Sequence, residues 1–282
     1  MKKVLSVILG ILILFLCTLL YAHFIGSKGI NTNEILFNTK DIDVSYNGLK
    51  IVHFSDLHYN NSKNNKQLDA LVSAIKRIKP DLVLFTGDLI DENIKLSTED
   101  TNYLIKKLSE IQSIYGNYAI IGDNDYLRVD TIKNIYIQSN FTLLDNNYTI
   151  IHNESNKQIF IGGVSSYNYE EASIDSVMNY FDKNKDIDFK IIMIHEGDYA
   201  KEIVDKYDNI DLIIGGHSIN GSINIPVIKK LFLPKGAKKY YKAYYMVNNT
   251  SIYISNGIGF DKYNFRLFNH PSINFYRIKK ID

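Results

Sequence analysis

The chain has 282 residues, a formal net charge of +1 and a single cysteine, Cys17. That length suits one large α/β domain with one sizeable core. Near-neutral charge removes the electrostatic case for a nucleic-acid partner, which needs a basic face, and one thiol excludes a disulfide framework or a zinc site built on cysteines.

Lys2 and Lys3 precede an uncharged run, VLSVILGILILFLCTLLYA, from Val4 to Ala22. A helix rising about 1.5 Å per residue over this run just spans a hydrocarbon core of roughly 30 Å. The run is long, and no A-x-A-like cleavage site follows it convincingly. Residues 1–26 are therefore expected to be an uncleaved anchor rather than a cleaved leader. The leading lysines place the N-terminus in the cytoplasm and the remainder outside, at the cell membrane, as a single-pass protein. Residues 27–47 are expected to be a polar tether, and 48–282 the folded domain.

LKIVHFS (Leu49–Ser55) has the composition of a buried strand. Leu68, Leu71, Val72, Ile75 and Ile78 recur at helical spacing across 64–79, and Pro80 closes that segment. DLVLFTG (81–87) predicts the next strand, 98–115 a second helix, and 118–121 another strand. FTLLD, YTIIH and QIFIGGV predict a three-stranded meander between Phe141 and Val164. A helix at 174–183 precedes the strand FKIIMIH (Phe189–His195), and a further helix precedes DLIIGG (Asp211–Gly216). After Tyr240, KAYYMV, SIYIS and INFYRI predict strands of a second sheet. Strands alternating with helices, then a strand-rich tail, predict an α/β fold with two packed sheets.

Five polar clusters follow the strand-like runs: SDLH (Ser55–His58), TGDLID (Thr86–Asp91), GDND (Gly122–Asp125), the end of IMIH (Ile192–His195) and GGHSI (Gly215–Ile219). In open α/β sheets the carboxyl ends of the strands share one rim, so the five clusters predict one site. Each offers Asp, Asn or His where a metal ligand could sit. Such side chains can hold metal ions, and two ions about 3.5–4 Å apart, with a shared carboxylate and further carboxylates and imidazoles on each side, can activate a nucleophile and offset developing negative charge.

In order and spacing these clusters resemble the ligand series of the calcineurin-like metallophosphoesterases. The tail segments FLPKG (232–236), YISNGIG (253–259) and RLFNHP (266–271) look like the membrane-associated, YkuE- and YaeI-like branch. The resemblance covers Leu49 to the C-terminus. It implies a four-layer αββα sandwich of two mixed β-sheets flanked by helices, one or two divalent ions (manganese, iron or zinc), and a phosphate-ester substrate associated with the cell envelope. It also implies that Asp56 and His58 bind the first metal, Asp88 bridges both, and Asp123, His195 and His217 bind the second.

Two motifs depart from the family pattern. GDND stands where GNHD is usual, and GHSI where GHTH is often found. Asp123 keeps an oxygen donor and adds charge, which favours the second metal. Ile219 cannot coordinate, so the first metal loses one ligand. Asn124 replaces the histidine that in the family assists the leaving group, oriented by the last Asp of the GD-x-x-D motif, here Asp91. An amide donates hydrogen bonds but gives up no proton. Two functions follow: a phosphoesterase of altered activity, favoured because the bridging carboxylate and its flanking ligands survive, or a metal-binding relative acting as a binding or regulatory module. Among the other histidines, His53 is expected to point away from the site, His23 to lie at the membrane boundary, and His152 and His270 to take no part, with the tail loop RLFNHP as the alternative route by which His270 could reach the rim.

Overall fold

The computed structural model describes residues 2–169, 172–179, 187, 189–219, 224–225, 233–260 and 265–282. A single helix, α1 (Lys2–Phe24), precedes the domain, and its apolar side chains lie exposed along almost its whole length.

The first sheet contains β1 (Asn31–Thr39), β2 (Lys50–Phe54), β3 (Leu82–Phe85), β4 (Asn117–Ala119), β5 (Phe141–Leu143) and β12 (Ser272–Lys280), in the order β1-β12-β2-β3-β4-β5. The second contains β6 (Asn147–His152), β7 (Gln158–Gly163), β8 (Phe189–Glu196), β9 (Leu212–Gly216), β10 (Tyr244–Val247) and β11 (Thr250–Ile254), in the order β10-β11-β9-β8-β7-β6. Helices α2 (Asn65–Ile78), α3 (Thr98–Ser109) and α4 (Val129–Gln138) cover the first sheet, and α5 (Ile174–Met178) and α6 (Ala200–Lys206) cover the second.

Period-2 alternation builds three cores. Ile51, Leu82 and Leu84 meet Ile159, Ile161, Ile191 and Leu212 between the sheets. Val52 and Val83, one residue out of phase, face Leu68, Leu71, Ile75 and Leu104 of α2 and α3. Ile192 and Ile213 face Ile203 of α6. Both faces of each central strand are buried, which explains why these strands are continuously apolar. Each such Ile or Leu contributes about 1.5–3 kcal/mol of burial. The four-layer αββα arrangement is the expected one.

The details correct four expectations. The tether is not free chain: residues 31–39 form β1, paired in parallel with β12 from Asn31↔Ser272 to Thr39↔Lys280. The polar 31–34 stretch is exposed because β1 is an edge strand, and Phe37 supplies its buried contact. The meander is split, since β5 closes the first sheet and β6 opens the second. The tail is split too, β12 inserting between β1 and β2. The second helix, expected over 98–115, stops at Ser109, and Ile114 beyond it is exposed. Residues 226–232 of the lysine- and tyrosine-rich 225–245 segment, and 180–183 of the helix expected at 174–183, lie outside the described residues.

His53 on β2 is fully buried beside Tyr276, with Nε2 3.0 Å from the Thr86 hydroxyl. Burial drives its pKa from 6.5 down to about 3. The unfolded chain therefore takes up this proton first, so the stability from neutral His53 is present above 6.5 and is lost as pH falls toward 3. His53→Gln is expected to flatten the loss of stability across that window in denaturant titrations. An unchanged slope would mean that His53 charges without unfolding the chain.

Candidate metal centre

The turns leaving β2 and β3 remain cross-linked: the Asp56 N–H donates to Gly87 O at 2.9 Å and the His58 N–H to Asp88 O at 3.0 Å. Asp56, His58, Asp88 and His217 all adopt left-handed backbone, with φ of 51°, 43°, 60° and 62°. For non-glycine residues this costs roughly 1–3 kcal/mol each, and it persists only where the surroundings enforce it. Two glycines permit the crossing of the β3 and β4 turns. A Cβ on Gly122 would lie 2.2 Å from Asp88 Oδ1, and one on Gly87 (φ +90°) 2.4 Å from Gly122 N.

The strand ends bring six predicted residues into two groups that share Asp88. One is Asp56, His58 and Asp88; the other is Asp88, Asp123, His195 and His217. His195 Nε2 lies 3.3 Å from Asp88 Oδ2 and 3.2 Å from Asp123 Oδ1, and His217 Nδ1 lies 3.3 Å from Asp123 Oδ1. His58 Nε2 is 3.6 Å from Asp88 Oδ2 and 3.9 Å from Asp56 Oδ1. Donors each about 2.0–2.2 Å from one ion would be separated by similar distances. A register shift between β8 and β9 at Met193–Glu196 aims His195 at this rim.

Backbone carbonyls fix the imidazole faces. His195 Nδ1–H donates to Thr86 O at 2.6 Å, and His217 Nε2–H donates to Lys235 O at 2.7 Å. Each ring thereby turns its other nitrogen toward the carboxylates, the usual support for a ligating histidine. Burial alone would push His195 down. The Asp88 charge and bonds to Asp123 and Asp88 instead hold it well above the usual imidazole range. Burial likewise opposes charge on Asp123, but bonds from His195 and His217 keep it well below the carboxylate range. Three buried or half-buried carboxylates converging with three imidazoles form a donor set that fits divalent cations.

Asn124 also reaches the shared carboxylate. Its N–H donates to Asp88 Oδ1 at 3.0 Å and its side chain to Asp88 Oδ2 at 2.6 Å. Asp91, expected to orient residue 124, instead accepts from the Asn93 N–H at 2.9 Å and from the Asn60 side chain at 3.5 Å. Ile219 is buried, and its side chain packs beside Asp56 over Gly257, whose added Cβ would lie 2.8 Å from Ile219 Cγ2 and 3.1 Å from Asp56 Cβ. His152 is exposed and His270 half-buried, both outside the two donor groups.

Three supporting residues were not foreseen. Asp125 is fully buried and accepts from the N–H groups of Asp88 and Leu89 at 2.9 Å and of Gly122 at 3.0 Å, tying the β3 turn to the β4 turn. Burial, reinforced by the Asp88 charge, raises its pKa to about 7. Glu196 accepts from the Tyr167 and Asn168 N–H groups at 2.9 and 3.1 Å, and Asn168 donates to Asp123 Oδ2 at 3.1 Å. Only the acidic last position of GDND hinted at any of these.

Residues 49–220 match the family described as calcineurin-like phosphoesterase. The chain belongs to that family. It is a hydrolase acting on phosphoester bonds. It is 26% identical to the uncharacterized metallophosphoesterase YkuE of Bacillus subtilis, over 92% of this chain and 89% of that one. It is 23% identical to YkoQ of the same organism, over 97% and 99% respectively. A transmembrane protein with metallophosphoesterase domain from Danio rerio is 23% identical over 77% of this chain and 50% of its own. Among solved structures, the Thermus thermophilus sulfate thiohydrolase SoxB shares the fold, with TM-score 0.53 and 12% identity over 83% of this chain and 57% of that one. The apolar α1 and the transmembrane relatives suggest membrane association for this phosphoesterase too.

Asp125→Asn keeps the shape but exchanges a carboxylate oxygen for an amide nitrogen that cannot accept. It is expected to weaken manganese binding by about 10–100-fold, as loss of support behind ligands generally does. Calorimetric titration of the full chain checks this; unchanged affinity would remove Asp125 from the site.

Proposed function

We propose that the protein is a metal-dependent phosphoesterase whose ions, manganese, iron or zinc, are held by Asp56, His58 and Asp88 on one side and by Asp88, Asp123, His195 and His217 on the other. The observation that carries this reading is the membership of Asp88 in both donor groups. Bound divalent ions would supply a nucleophile at neutral pH and offset charge on the phosphoryl oxygens. The chain's own contribution is positional: backbone amides and carbonyls orient the donors, and burial of Asp56, Asp88 and His195 excludes competing water.

Asn124 defines the chemistry asked of the substrate. Its amide can donate a hydrogen bond to an anionic oxygen but cannot release a proton at neutral pH. General acid catalysis is typically worth about 10²–10⁴-fold, most for poor leaving groups. The preferred substrates are therefore esters or anhydrides whose leaving group is stable as an anion, such as aryl esters or pyrophosphates, among phosphomonoester, phosphodiester and pyrophosphate candidates in the envelope. Asp91, bonded into its own turn, acts only indirectly. The lysines that open α1 support a cytoplasmic N-terminus with the catalytic domain outside.

Asp88→Asn is expected to abolish both metal binding and hydrolysis of an aryl phosphodiester; persistent turnover would end the metal mechanism. Asn124→His is expected to raise turnover of an alkyl phosphate ester by about 10²-fold or more while changing the aryl ester far less. Metal binding with no turnover of any ester would mark a binding module instead.

A further inference from the structure

We propose that the metal centre works against the membrane surface, on phosphate carried by a lipid headgroup of the bilayer that α1 enters. This rests on the phosphoesterase reading above, and strand direction is its starting point. β2 runs parallel to β3 but antiparallel to β12, which in turn runs parallel to β1. The rim where β2 ends at its metal donors is therefore the rim where β1 and β12 begin. Asn31 pairs with Ser272, and two residues further along β12 Asn274 pairs with His53. Two strand spacings of about 4.8 Å thus separate the start of β1 from the end of β2.

The chain between α1 and β1 has no slack. Only residues 25–30 intervene, and the Ile25 and Gly26 N–H groups still donate to Tyr21 O, at 2.9 and 2.8 Å. At the other end the Asn31 N–H donates to Pro271 O at 2.9 Å. The last turn of α1 also docks on the domain. Ala22 O accepts from the Arg266 N–H at 3.1 Å, and a Cβ on Gly26 would lie 2.0 Å from Arg266 O.

Arg266 carries this contact inward. Its fully buried guanidinium donates to Asn256 O at 2.6 Å and to Gly259 O, while the Gly259 N–H donates to Asp56 O at 2.6 Å. One arginine side chain and one glycine thus link the end of the apolar helix to the backbone of Asp56. Burial draws the guanidinium below its ordinary pKa, and the Asp56 charge opposes the shift.

Large apolar side chains stand exposed on this side, beside the polar 31–34 edge. Phe24, Ile25 and Phe268 are 53%, 58% and 68% exposed, and Phe268 holds left-handed backbone (φ 56°) four residues before β12 begins. A bilayer receiving α1 would receive these side chains at its interface, where aromatic residues are favoured. Its headgroup phosphates would then lie level with the rim that bears the donors.

The chain has no tryptophan, so single introduced tryptophans report depth directly. Phe268→Trp probes the rim. Ile114→Trp probes the opposite end, since exposed Ile114 lies just before β4 begins. Full-length, manganese-loaded protein is reconstituted in phosphatidylcholine–phosphatidylglycerol vesicles with or without brominated acyl chains. Emission from Phe268→Trp is expected to fall roughly twofold with brominated lipid and that from Ile114→Trp to stay unchanged, as for side chains at and away from the interface. In parallel, two p-nitrophenyl phosphodiesters are compared, one of a short water-soluble alcohol and one of diacylglycerol in the same vesicles. The lipid ester is expected to turn over about tenfold faster at equal total concentration, through its local concentration.

Quenching at Ile114→Trp instead of Phe268→Trp would overturn the proposal while hydrolysis of the soluble ester left the phosphoesterase reading intact. Equal turnover of the two esters would overturn the lipid source. Quenching at Phe268→Trp with neither ester hydrolysed would overturn the phosphoesterase reading and lipid hydrolysis with it.

Discussion

A carboxylate with almost no solvent exposure, Asp88, stands between His58 and His195 and close to Asp123. A buried charge of this kind is costly unless it is paired and its lone pairs are satisfied. Here Asn124 supplies two hydrogen bonds to the carboxylate, and Asp125 holds its backbone N–H. The surrounding construction follows from that requirement. Glycines at 87 and 122 admit the crossing turns, left-handed backbone at 56, 58, 88 and 217 turns donors inward, and carbonyls at 86 and 235 orient the imidazoles.

The two-sheet scaffold makes this possible because each sheet delivers part of the set. The first sheet supplies Asp56, His58, Asp88 and Asp123, and the second supplies His195 and His217. Neither sheet alone could assemble both donor groups, so packing between the sheets sets the geometry of the site. The split of β5 and β6 between sheets and the return of β12 into the first sheet tie the layers together at their edges. Through β1 the same sheet is joined to α1, which makes that apolar helix a continuation of the folded domain.

The six residues that converge in the two donor groups were legible because each follows an apolar strand and carries a side chain of unmistakable chemistry. The alternating cores were legible for the same reason. Residues 31–39 were not, because an edge strand with one buried face and an Asn-rich start has the composition of a linker. FTLLD and YTIIH have similar patterns, and nothing local in them says that the chain changes sheets at Asp145–Asn146. Asp125, Glu196 and Asn168 act on backbone or on residues far along the chain, so their roles appear only in three dimensions. Asp91 shows the converse: a motif position whose expected partner, residue 124, is instead bonded to Asp88.

The shared use of Asp88 is the claim on which the rest turns, and anomalous diffraction from crystals of the manganese-loaded protein tests it directly. Anomalous peaks bonded to Asp88 are expected, one toward Asp56 and His58 and one toward Asp123, His195 and His217. Manganese bound elsewhere with Asp88 untouched would contradict it.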